Sequence, residues 1–490
     1  MKLSKILERL EYTCLQGTLD QEIEEVVADS RKAKEGSLFI CIRGAVVDGH
    51  TFAKSVAGQG TKAIIVEEPV EVPEDVTVIQ VKDSRYAMAL VAAAYYDYPG
   101  DKLRVIGITG TKGKTTTTYM VKSILENAGY KVGLIGTIET IIGDTVIPSA
   151  NTTPESLLVQ KYLRQMLDEG CDCAVMEVSS QGIKMHRTDG LYFNYAIFTN
   201  ISPDHIGPGE HADFEEYLYY KTRLLNMCGI GLVNKDDKHA PQIIKAANCE
   251  LYTYSEESKE ADFVASDIRY VSQPDFVGTE FHISGKYDME VRLGIPGLFN
   301  VVNALAAVSV CSFLGLDQAR ISHALENIRV NGRMEIVYTS ERCTVLVDYA
   351  HNAVSMESLL STLRDYKPKR LVCVFGCGGN RSKDRRYSMG EIGGKMADLS
   401  IITADNSRYE KVEDIIEDIR GSIEKTGGKF IEIPDRREAI RYSILHAQPG
   451  DMVAVIGKGH EDYQEINGVR HHFLDREVIE ETVKELGEKA

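Results

Sequence analysis

Short apolar runs alternate with amphipathic stretches along most of the chain. In residues 1–98, apolar runs predict buried strands at 36–42, 63–66 and 76–81, and the pattern over residues 86–96 predicts a helix. Pro99 and Gly100 end this helix and favour a turn that links two domains. We therefore predict a small α/β domain over residues 1–98.

Residues 99–331 continue the alternation over a longer stretch. Helical patterns lie between apolar runs that predict strands at 103–108, 131–135, 174–178, 196–199 and 231–234. Strands that alternate with helices predict a mainly parallel sheet covered on both faces. Residues 253–295 instead show short alternating runs with turns, which predict antiparallel strands, and a helix is predicted over 297–313.

Residues 332–490 form a second alternating α/β region. Its strands are predicted at 344–347, 370–375, 399–403, 430–433 and 452–456. Polar, Gly-rich segments follow several of these strands, and ligands bind beyond the carboxyl ends of strands in such sheets. The fold class that we predict is a three-domain α/β protein with a small N-terminal α/β domain, a central parallel-sheet P-loop domain and a C-terminal Rossmann-like domain.

The composition of the chain indicates which binding partners and which cellular compartment to expect. The formal net charge of −17, with no basic run to offset it, argues against a nucleic-acid partner. The ten cysteines include no C-x-x-C pair, so we expect buried thiols, no zinc site and a reducing, cytoplasmic setting. The N-terminus lacks the apolar centre of a signal peptide, and no run reaches the roughly 18 apolar residues of a membrane span.

The most informative stretch is a glycine loop between the predicted strand 103–108 and a helix. It reads Gly110-Thr-Lys-Gly-Lys-Thr115 and is shorter than the common P-loop, which would need glycine where Ile108 stands. Gly110 and Gly113 allow a close approach of the backbone to phosphate, and the helix N-terminus presents N–H groups to the anion. Lys114 is placed to bind phosphate oxygens, and the Thr115 hydroxyl is placed to bind Mg²⁺.

Other candidate residues lie at predicted strand ends. Glu177 ends a buried strand and is a candidate Mg²⁺ ligand, whereas His205 is either a metal ligand or a solvated loop residue. By spacing alone, Lys221 is an ordinary lysine on a helix surface. In the C-terminal region, a mixed-charge crevice suits a zwitterionic substrate better than a plain anion, and its charged residues are Arg381, Asp405, Arg408, Lys458 and Glu461.

Ten short motifs stand in order along nearly the whole chain. Together they resemble the ATP-dependent Mur ligases, most closely the branch that adds the third residue of the peptidoglycan peptide. The motifs are Asp29-Ser-Arg31, Asp48-Gly-His50, Gly110–Thr115, Asn151-Thr-Thr-Pro154, Glu177-Val-Ser-Ser180, Asp204-His205, Phe299-Asn300 with Asn303, Gly332-Arg-Met-Glu335, Asp348-Tyr-Ala-His351 and Gly457-Lys-Gly-His-Glu-Asp-Tyr463.

The resemblance implies domains over 1–98 for the UDP-sugar, 99–331 for ATP and 332–490 for the amino acid. It implies that ATP phosphorylates the D-Glu carboxylate of UDP-N-acetylmuramoyl-L-Ala-D-Glu and that an incoming amine then displaces phosphate from the acyl phosphate. ATP and two Mg²⁺ ions are the implied cofactors, and Lys221 is implied to carry a carbamate. We expect a cytoplasmic monomer with no membrane partner.

The resemblance also implies roles position by position. Lys114, Glu177, His205 and Lys221 match catalytic positions, and the implied metal ligands are Thr115, Glu177, His205 and carbamylated Lys221. The implied ATP-binding residues are Gly110, Thr111, Lys112, Gly113, Lys114, Thr115, Thr116, Asn300, Asn303, Arg333 and Asp348. Ser30, Thr152, Thr153, Ser179 and Arg187 match positions that hold the UDP-muramoyl dipeptide, and Arg381, Asp405, Asn406, Ser407, Arg408, Gly457 and Glu461 match the amino-acid pocket.

One stretch bears on the choice of amino acid. Family members that add meso-diaminopimelate carry Asp-Asn-Pro-Arg, and this chain keeps the Arg but has Ser in place of Pro, in Asp405-Asn-Ser-Arg408. This favours meso-diaminopimelate, with L-lysine or another amino acid as the alternative. The sequence also departs from the family at Gln181, at Asn352-Ala353 and in the loop after His205, which leaves a paralogue with a different acceptor open.

Two further alternatives are a folylpolyglutamate synthase and a non-catalytic nucleotide-binding regulator. The motifs in residues 1–98 count against the synthase. The intact set of Lys114, Thr115, Glu177 and Lys221 counts against the regulator.

Overall fold

A computed structural model describes residues 1–44 and 46–487. The chain forms two compact units. The first comprises Met1–Tyr254 with Glu260–Asp262 and Ser309–Leu314, and the second comprises Ser255–Lys259, Phe263–Val308 and the chain from Gly315 onward. The domain boundaries predicted from the sequence, after residues 98 and 331, stay predictions. No helix within the described residues is both long and apolar enough to cross a membrane.

The helices of the described residues are α1 (Leu3–Ile6), α2 (Ala53–Ala57), α3 (Ser84–Tyr95), α4 (Lys114–Asn127), α5 (Ser156–Asp168), α6 (Ser180–Lys184), α7 (Phe214–Thr222), α8 (Ala240–Ala246), α9 (Leu298–Ser312), α10 (Gln318–Glu326), α11 (Ala353–Asp365), α12 (Lys383–Met396), α13 (Val412–Thr426), α14 (Arg436–Leu445) and α15 (Asp475–Glu485). Short 3-10 turns lie at Ser30–Lys32, Gly49–Phe52, Pro99–Asp101 and Arg223–Asn226.

The strands of the first unit are β1 (Thr13–Gln16), β2 (Glu25–Val27), β3 (Ser37–Ile40), β4 (Ala63–Val66), β5 (Thr77–Gln80), β6 (Arg104–Thr109), β7 (Val132–Ile135), β8 (Glu139–Ile142), β9 (Thr145–Pro148), β10 (Cys173–Glu177), β11 (Phe193–Phe198), β12 (Cys228–Asn234) and β13 (Glu250–Ser255). Those of the second are β14 (Phe263–Gln273), β15 (Phe276–Gly285), β16 (Met289–Leu293), β17 (Glu335–Thr339), β18 (Cys343–Asp348), β19 (Arg370–Phe375), β20 (Leu399–Ile402), β21 (Phe430–Glu432), β22 (Asp451–Ile456), β23 (Tyr463–Ile466) and β24 (Val469–His472).

The N-terminal sheet has the strand order β1-β5-β4-β3-β2, with β1 antiparallel and the other neighbours parallel. Successive side chains of a strand point to opposite faces. Accordingly, Leu38 and Ile40 enter one apolar core and Phe39 and Cys41 enter another. The predicted strands β3, β4 and β5 of this small α/β region are confirmed, whereas β1 and β2 were not predicted.

The central sheet places β6 between β10 and β11. Its parallel strands run in the order β13-β12-β11-β6-β10-β7, and the β8–β9 hairpin extends the β7 edge antiparallel. Glu177 is in register with Ile108, and Phe198 is in register with Thr109. The loops that follow β6, β10 and β11 therefore leave the same edge of the sheet side by side.

The second unit contains an antiparallel β14-β15-β16 meander, as the alternating pattern over 253–295 predicted. It also contains a six-stranded sheet in the order β17-β18-β22-β19-β20-β21, parallel except for β17. Among the strands of this unit, β17 and both strands of the β23–β24 hairpin, which follows the last strand of the sheet, were not predicted from the sequence. The predicted α/β fold class is confirmed.

Candidate active site

The glycine loop follows β6 and is braced by the chain after β11. Gly110 has φ 142° and Gly113 has φ 86°, conformations that side chains disfavour. A Cβ at Gly110 would lie 1.9 Å from Thr199 Oγ1, so no larger residue fits there. Thr111 N donates to the Asn200 carbonyl (2.9 Å), and Lys112 N donates to Asn200 Oδ1 (2.9 Å). Sequence reasoning did not assign this bracing role to Thr199 and Asn200.

Helix α4 begins at Lys114 without a side-chain cap, because its N-cap residue is Gly113. The first N–H groups of such a helix suit an anion. The Lys114 ammonium lies against the loop, where it donates to the carbonyls of Gly110 (3.0 Å) and Thr111 (3.1 Å). The strand, the glycine loop and the helix start follow one another as the sequence predicted, and phosphate binding by this loop stays a prediction.

Glu177 is 1% exposed at the carboxyl end of β10. Its carboxylate accepts hydrogen bonds from Thr137 N (2.8 Å), Thr137 Oγ1 (3.0 Å) and Thr115 Oγ1 (3.0 Å). A Cβ at Gly136 would lie 2.7 Å from Glu177 Oε1, so the carboxylate fits a space that glycine leaves open. These donors are neutral, and a buried carboxylate favours a cation. The Thr115 hydroxyl and Glu177 carboxylate are hard oxygen donors that fit Mg²⁺.

Lys221 lies on α7 and is 2% exposed, so the surface position indicated by its spacing is wrong. Its ammonium donates to the Gly110 carbonyl (2.7 Å) and lies 4.7 Å from the centre of the Tyr217 ring. Burial, and then the positive charge of Lys114, lower the pKa of Lys221 well below its usual value. The amine is therefore biased toward the neutral, nucleophilic form.

His205 lies in a loop with its side chain 57% exposed, and its Nδ1 lies 2.9 Å from Glu210 Oε1. Among residues 1–44 and 46–487, no cluster of three or more His, Cys, Asp or Glu side chains is arranged to hold a metal. A metal-ligand role for His205 therefore stays a prediction. His211, which sequence reasoning did not single out, is fully buried, and its Nε2 lies 2.9 Å from Ser180 Oγ. It ties the loop of His205 to the chain after Glu177.

Four of the residues predicted to hold the dipeptide lie together beside Glu177. Thr153 Oγ1 donates to the Glu177 carbonyl (3.0 Å) and accepts from Ser179 N (2.9 Å). Arg187 donates to the Thr153 carbonyl (2.9 Å). Thr152 Oγ1 lies 3.0 Å from Thr137 Oγ1. Ser30, the fifth, begins a 3-10 turn beside the N-terminal sheet.

In the second unit, the predicted nucleotide-binding residues Asn300, Asn303, Arg333 and Asp348 are brought together. Asn303 Nδ2 donates to Asn300 Oδ1 (3.2 Å), and Asn300 Nδ2 lies 3.8 Å from Met334 Sδ. Asp348 accepts from Met334 N (2.8 Å), and burial raises its pKa. The Arg333 guanidinium lies 4.8 Å from the centre of the Tyr349 ring.

The predicted amino-acid pocket is also assembled at the carboxyl edge of the C-terminal sheet. Asn406 Nδ2 donates to Glu461 Oε2 (3.0 Å), and a Cβ at Gly457 would lie 2.7 Å from Asp405 Oδ2. Lys458 is fully buried, and its Nζ lies 3.4 Å from both Asn406 Oδ1 and Glu461 Oε2. This lysine holds the two loops of the pocket together.

Arg381 and Arg408 approach each other at Gly378. A Cβ there would lie 3.5 Å from Arg408 Nη1 and 3.9 Å from Arg381 Cγ. Ser407, the residue that replaces the family's proline, is 3% exposed. The side chains of Arg381 and Arg408 therefore meet at Gly378, and their place in an amino-acid pocket stays a prediction.

The fold and this site define a P-loop nucleotide-binding α/β protein with a second, mixed-charge pocket. Three family profiles match the chain: a Mur ligase family catalytic domain over residues 22–96, a Mur ligase middle domain over 108–311 and a Mur ligase glutamate ligase domain over 332–459. The chain belongs to the Mur ligase family, which confirms the resemblance seen in its motifs.

Relatives match the chain over its full length. A UDP-N-acetylmuramoyl-L-alanyl-D-glutamate–2,6-diaminopimelate ligase of Clostridium botulinum is 42% identical over 99% of this chain and 100% of its own. The ligase of the same name from Clostridioides difficile is 41% identical with the same coverage. A solved structure of a ligase with this name, 29% identical, superposes with a TM-score of 0.77 and covers both chains completely.

A folylpolyglutamate synthase of Mycobacterium tuberculosis shares the fold alone. It is 18% identical, has a TM-score of 0.57 and covers 76% of this chain and 92% of its own.

Proposed function

We propose that this protein is an ATP-dependent ligase that adds meso-diaminopimelate to UDP-N-acetylmuramoyl-L-Ala-D-Glu in peptidoglycan precursor synthesis. The observation that carries the proposal is the full-length, 42% identity to a ligase of that name. The arrangement of Lys114, Thr115, Glu177 and Lys221 around the glycine loop supports it.

The chemistry requires activation of a carboxylate. A carboxylate is a poor electrophile, so transfer of the γ-phosphoryl group of ATP to the D-Glu carboxylate supplies a leaving group as an acyl phosphate. The amine of the amino acid then attacks the carbonyl carbon, and phosphate departs from the tetrahedral intermediate. Both partners of the first step are anions, so Lys114 and the N-terminus of α4 stabilise the transferring phosphoryl group.

Mg²⁺, when bound, neutralises charge on the phosphates. Thr115 and Glu177 would hold one ion, and His205 with a carbamate on Lys221 would hold a second. The lowered pKa of the Lys221 amine favours this modification, in which its nitrogen bonds to the carbon of CO₂ and a proton leaves the nitrogen for solvent. The product is an anionic oxygen donor, which suits Mg²⁺ better than an ammonium does.

Roles in binding the dipeptide and the amino acid are proposed from the contacts of Arg187 and Arg408. Arg187, fixed by its bond to the Thr153 carbonyl and by an ion pair with Glu155 (2.6 Å), would bind the acidic dipeptide beside Ser179. Arg408 would bind the distal carboxylate of diaminopimelate. L-Lysine, which lacks that carboxylate, is the alternative amino acid. We also infer a cytoplasmic, monomeric enzyme, and light scattering on purified protein tests the monomer.

The first experiment measures phosphate release with ATP, Mg²⁺ and UDP-N-acetylmuramoyl-L-Ala-D-Glu, with meso-diaminopimelate and L-lysine in separate reactions and the product mass recorded. We expect turnover and a tripeptide product with diaminopimelate. Turnover with L-lysine but not with diaminopimelate would overturn the proposed choice of amino acid. The absence of turnover with either amino acid would overturn the proposed ligase function.

Two variants of α4 show whether ATP-dependent turnover depends on the glycine loop. Lys114→Ala should abolish turnover, because it removes the cation at the phosphate. Lys122→Ala is the matched control, because Lys122 lies on the same helix and pairs with Glu126 (2.7 Å) at the surface. Equal activity of the two variants would contradict the assignment.

A further inference from the structure

The β23–β24 hairpin packs on the loop of Asp405 to Arg408. Arg408 N donates to the Glu465 carbonyl (3.0 Å), and Asn467 N donates to the Arg408 carbonyl (2.6 Å). Glu465 N donates to Asn406 Oδ1 (2.9 Å), and Gln464 Nε2 donates to the Asp405 carbonyl (3.1 Å). The hairpin is thus a wall of the amino-acid pocket, and its side chains are candidates for selecting the substrate.

One of these side chains faces Arg408. Glu465 Oε2 lies 3.5 Å from Arg408 Nε, and Arg408 Nη1 donates to the Gly379 carbonyl (2.7 Å). The backbone of Arg408 is left-handed, with φ 50°, and the hairpin bonds hold it there. The guanidinium is therefore fixed in position, with a carboxylate of the same chain beside it.

This ion pair is loose enough to be exchanged. A strong guanidinium–carboxylate pair is bidentate with N···O distances near 2.8 Å, whereas the closest N···O distance between Arg408 and Glu465 is 3.5 Å. The two side chains are 24% and 22% exposed, so solvent and solutes reach them. An incoming carboxylate that binds the guanidinium with both oxygens would replace Glu465.

We propose that Glu465 is a specificity-determining residue that occupies Arg408 until the distal carboxylate of the amino acid displaces it. The inference rests on the proposed function. An amino acid that ends in an ammonium alone has nothing to displace Glu465 with and adds positive charge beside Arg408 and Arg381. A substrate therefore binds at Arg408 only if its own carboxylate interacts with the guanidinium more favourably than Glu465 does.

The test is the KM for meso-diaminopimelate in Glu465→Gln. Because an exposed ion pair contributes up to about 1 kcal/mol, its loss should lower this KM about threefold to fivefold and leave the KM for ATP as it is. Glu477→Gln is the matched control: it removes one carboxylate that pairs with His472 of the same hairpin (2.7 Å) but does not face Arg408. The control should show the wild-type KM.

A double-mutant cycle separates competition from a structural effect. In an Arg408→Ala background, Glu465→Gln should no longer lower the KM, because the guanidinium for which the two carboxylates compete is gone. Glu465→Asp, which withdraws the carboxylate by one methylene, should fall between wild type and Glu465→Gln. An unchanged KM in Glu465→Gln overturns the proposal, and a raised KM overturns it in favour of direct contact between Glu465 and the substrate.

Wild-type turnover in the same assay distinguishes a failure of the role proposed for Glu465 from a failure of the proposed function. If the wild type uses diaminopimelate and Glu465→Gln does not lower its KM, only the role of Glu465 fails. If the wild type uses lysine alone, or no amino acid, both the role of Glu465 and the proposed choice of substrate are overturned.

Discussion

Lys221 shows how far burial changes the chemistry of a residue. Its position in the sequence is typical of a solvated helix lysine, but α7 directs it against the Gly110 carbonyl, where it is 2% exposed. The low pKa that follows from burial and from Lys114 makes the amine available for carbamate formation. Glu177 is a complementary case, because it is a buried carboxylate that accepts hydrogen bonds from the neutral donors Thr115 and Thr137.

Replacement of Lys221 tests the carbamate. Lys221→Ala should lose on the order of 100-fold or more in kcat, because an anionic ligand to the metal is removed. Lys221→Glu, which restores a carboxylate on a shorter side chain, should retain more activity than Lys221→Gln. Steady-state phosphate release measures both effects, and near-normal ligation by Lys221→Ala would refute the carbamate.

Glu177→Gln tests the metal role of that carboxylate. The amide keeps the shape of the side chain and removes the charge, so we expect the Mg²⁺ concentration for half-maximal turnover to rise about tenfold or more. The same variant should gain less thermal stability than wild type when Mg²⁺ and ADP are added together, which differential scanning fluorimetry measures. An unaltered Mg²⁺ requirement would place the ion elsewhere.

At the scale of elements, the β23–β24 hairpin supports the loop of Asp405 to Arg408, which we propose to be part of the amino-acid pocket. Its turn consists of Asn467 and Gly468, with φ 49° and 77°, which is the pair of left-handed residues of a two-residue hairpin turn. The dipeptide Asn-Gly between short alternating runs is the sequence signal that could have predicted this hairpin. The exposed side chains of β24 hide the alternation, because neither face of that strand is buried.

Gly468→Val tests the hairpin as a unit. A β-branched residue is strained at φ 77°, and its Cβ would lie 2.6 Å from the Tyr409 hydroxyl. Because the hairpin positions Arg408 and Asn406, the KM for the amino acid should rise about tenfold or more while the KM for ATP is unchanged. Gly421→Val is the control, since a Cβ there has no atom within 4 Å and valine has a slightly higher helix propensity than glycine within α13.

At the scale of the whole molecule, buried histidines couple stability to pH. Burial, and then the nearby charge of Arg333, lower the pKa of His460 to about 4, and burial also lowers the pKa of His211. Since both pKa values lie below the unfolded value near 6.5, the unfolded chain binds more protons than the folded chain below that pH, and for His460 this range extends to about pH 4. The stabilisation is complete above pH 6.5 and is lost as the pH falls through this range.

His460→Gln should therefore reduce the loss of stability on acidification. The difference in the free energy of unfolding between wild type and variant should change by on the order of 3 kcal/mol between pH 7 and pH 4, because each tenfold difference in proton affinity between the folded and unfolded chain corresponds to about 1.4 kcal/mol. Urea unfolding followed at several pH values measures it. Parallel curves for the two proteins would show that His460 does not carry this pH dependence.

Much of the fold was predictable because the alternation of buried strands and amphipathic helices is local. The strands at 63–66 and 370–375 were predicted with the bounds that the structure shows, and most others were within a few residues. Other strands were not predicted, among them β1, β2, β17 and the β8–β9 and β23–β24 hairpins. Each is a run of only three to five residues, too short for a clear pattern of buried and exposed positions, and both strands of the β23–β24 hairpin lie largely open to solvent.

The sequence by itself determined the α/β class, the glycine loop and the family, because these depend on local patterns and on motifs in order. Tertiary structure alone decided which side chains meet. The register of β10 with β6 places Glu177 beside Thr115, α7 buries Lys221 against Gly110, and the last hairpin brings Glu465 to Arg408. Such contacts join residues dozens to more than a hundred positions apart, and the charges and pKa values of the site follow from them.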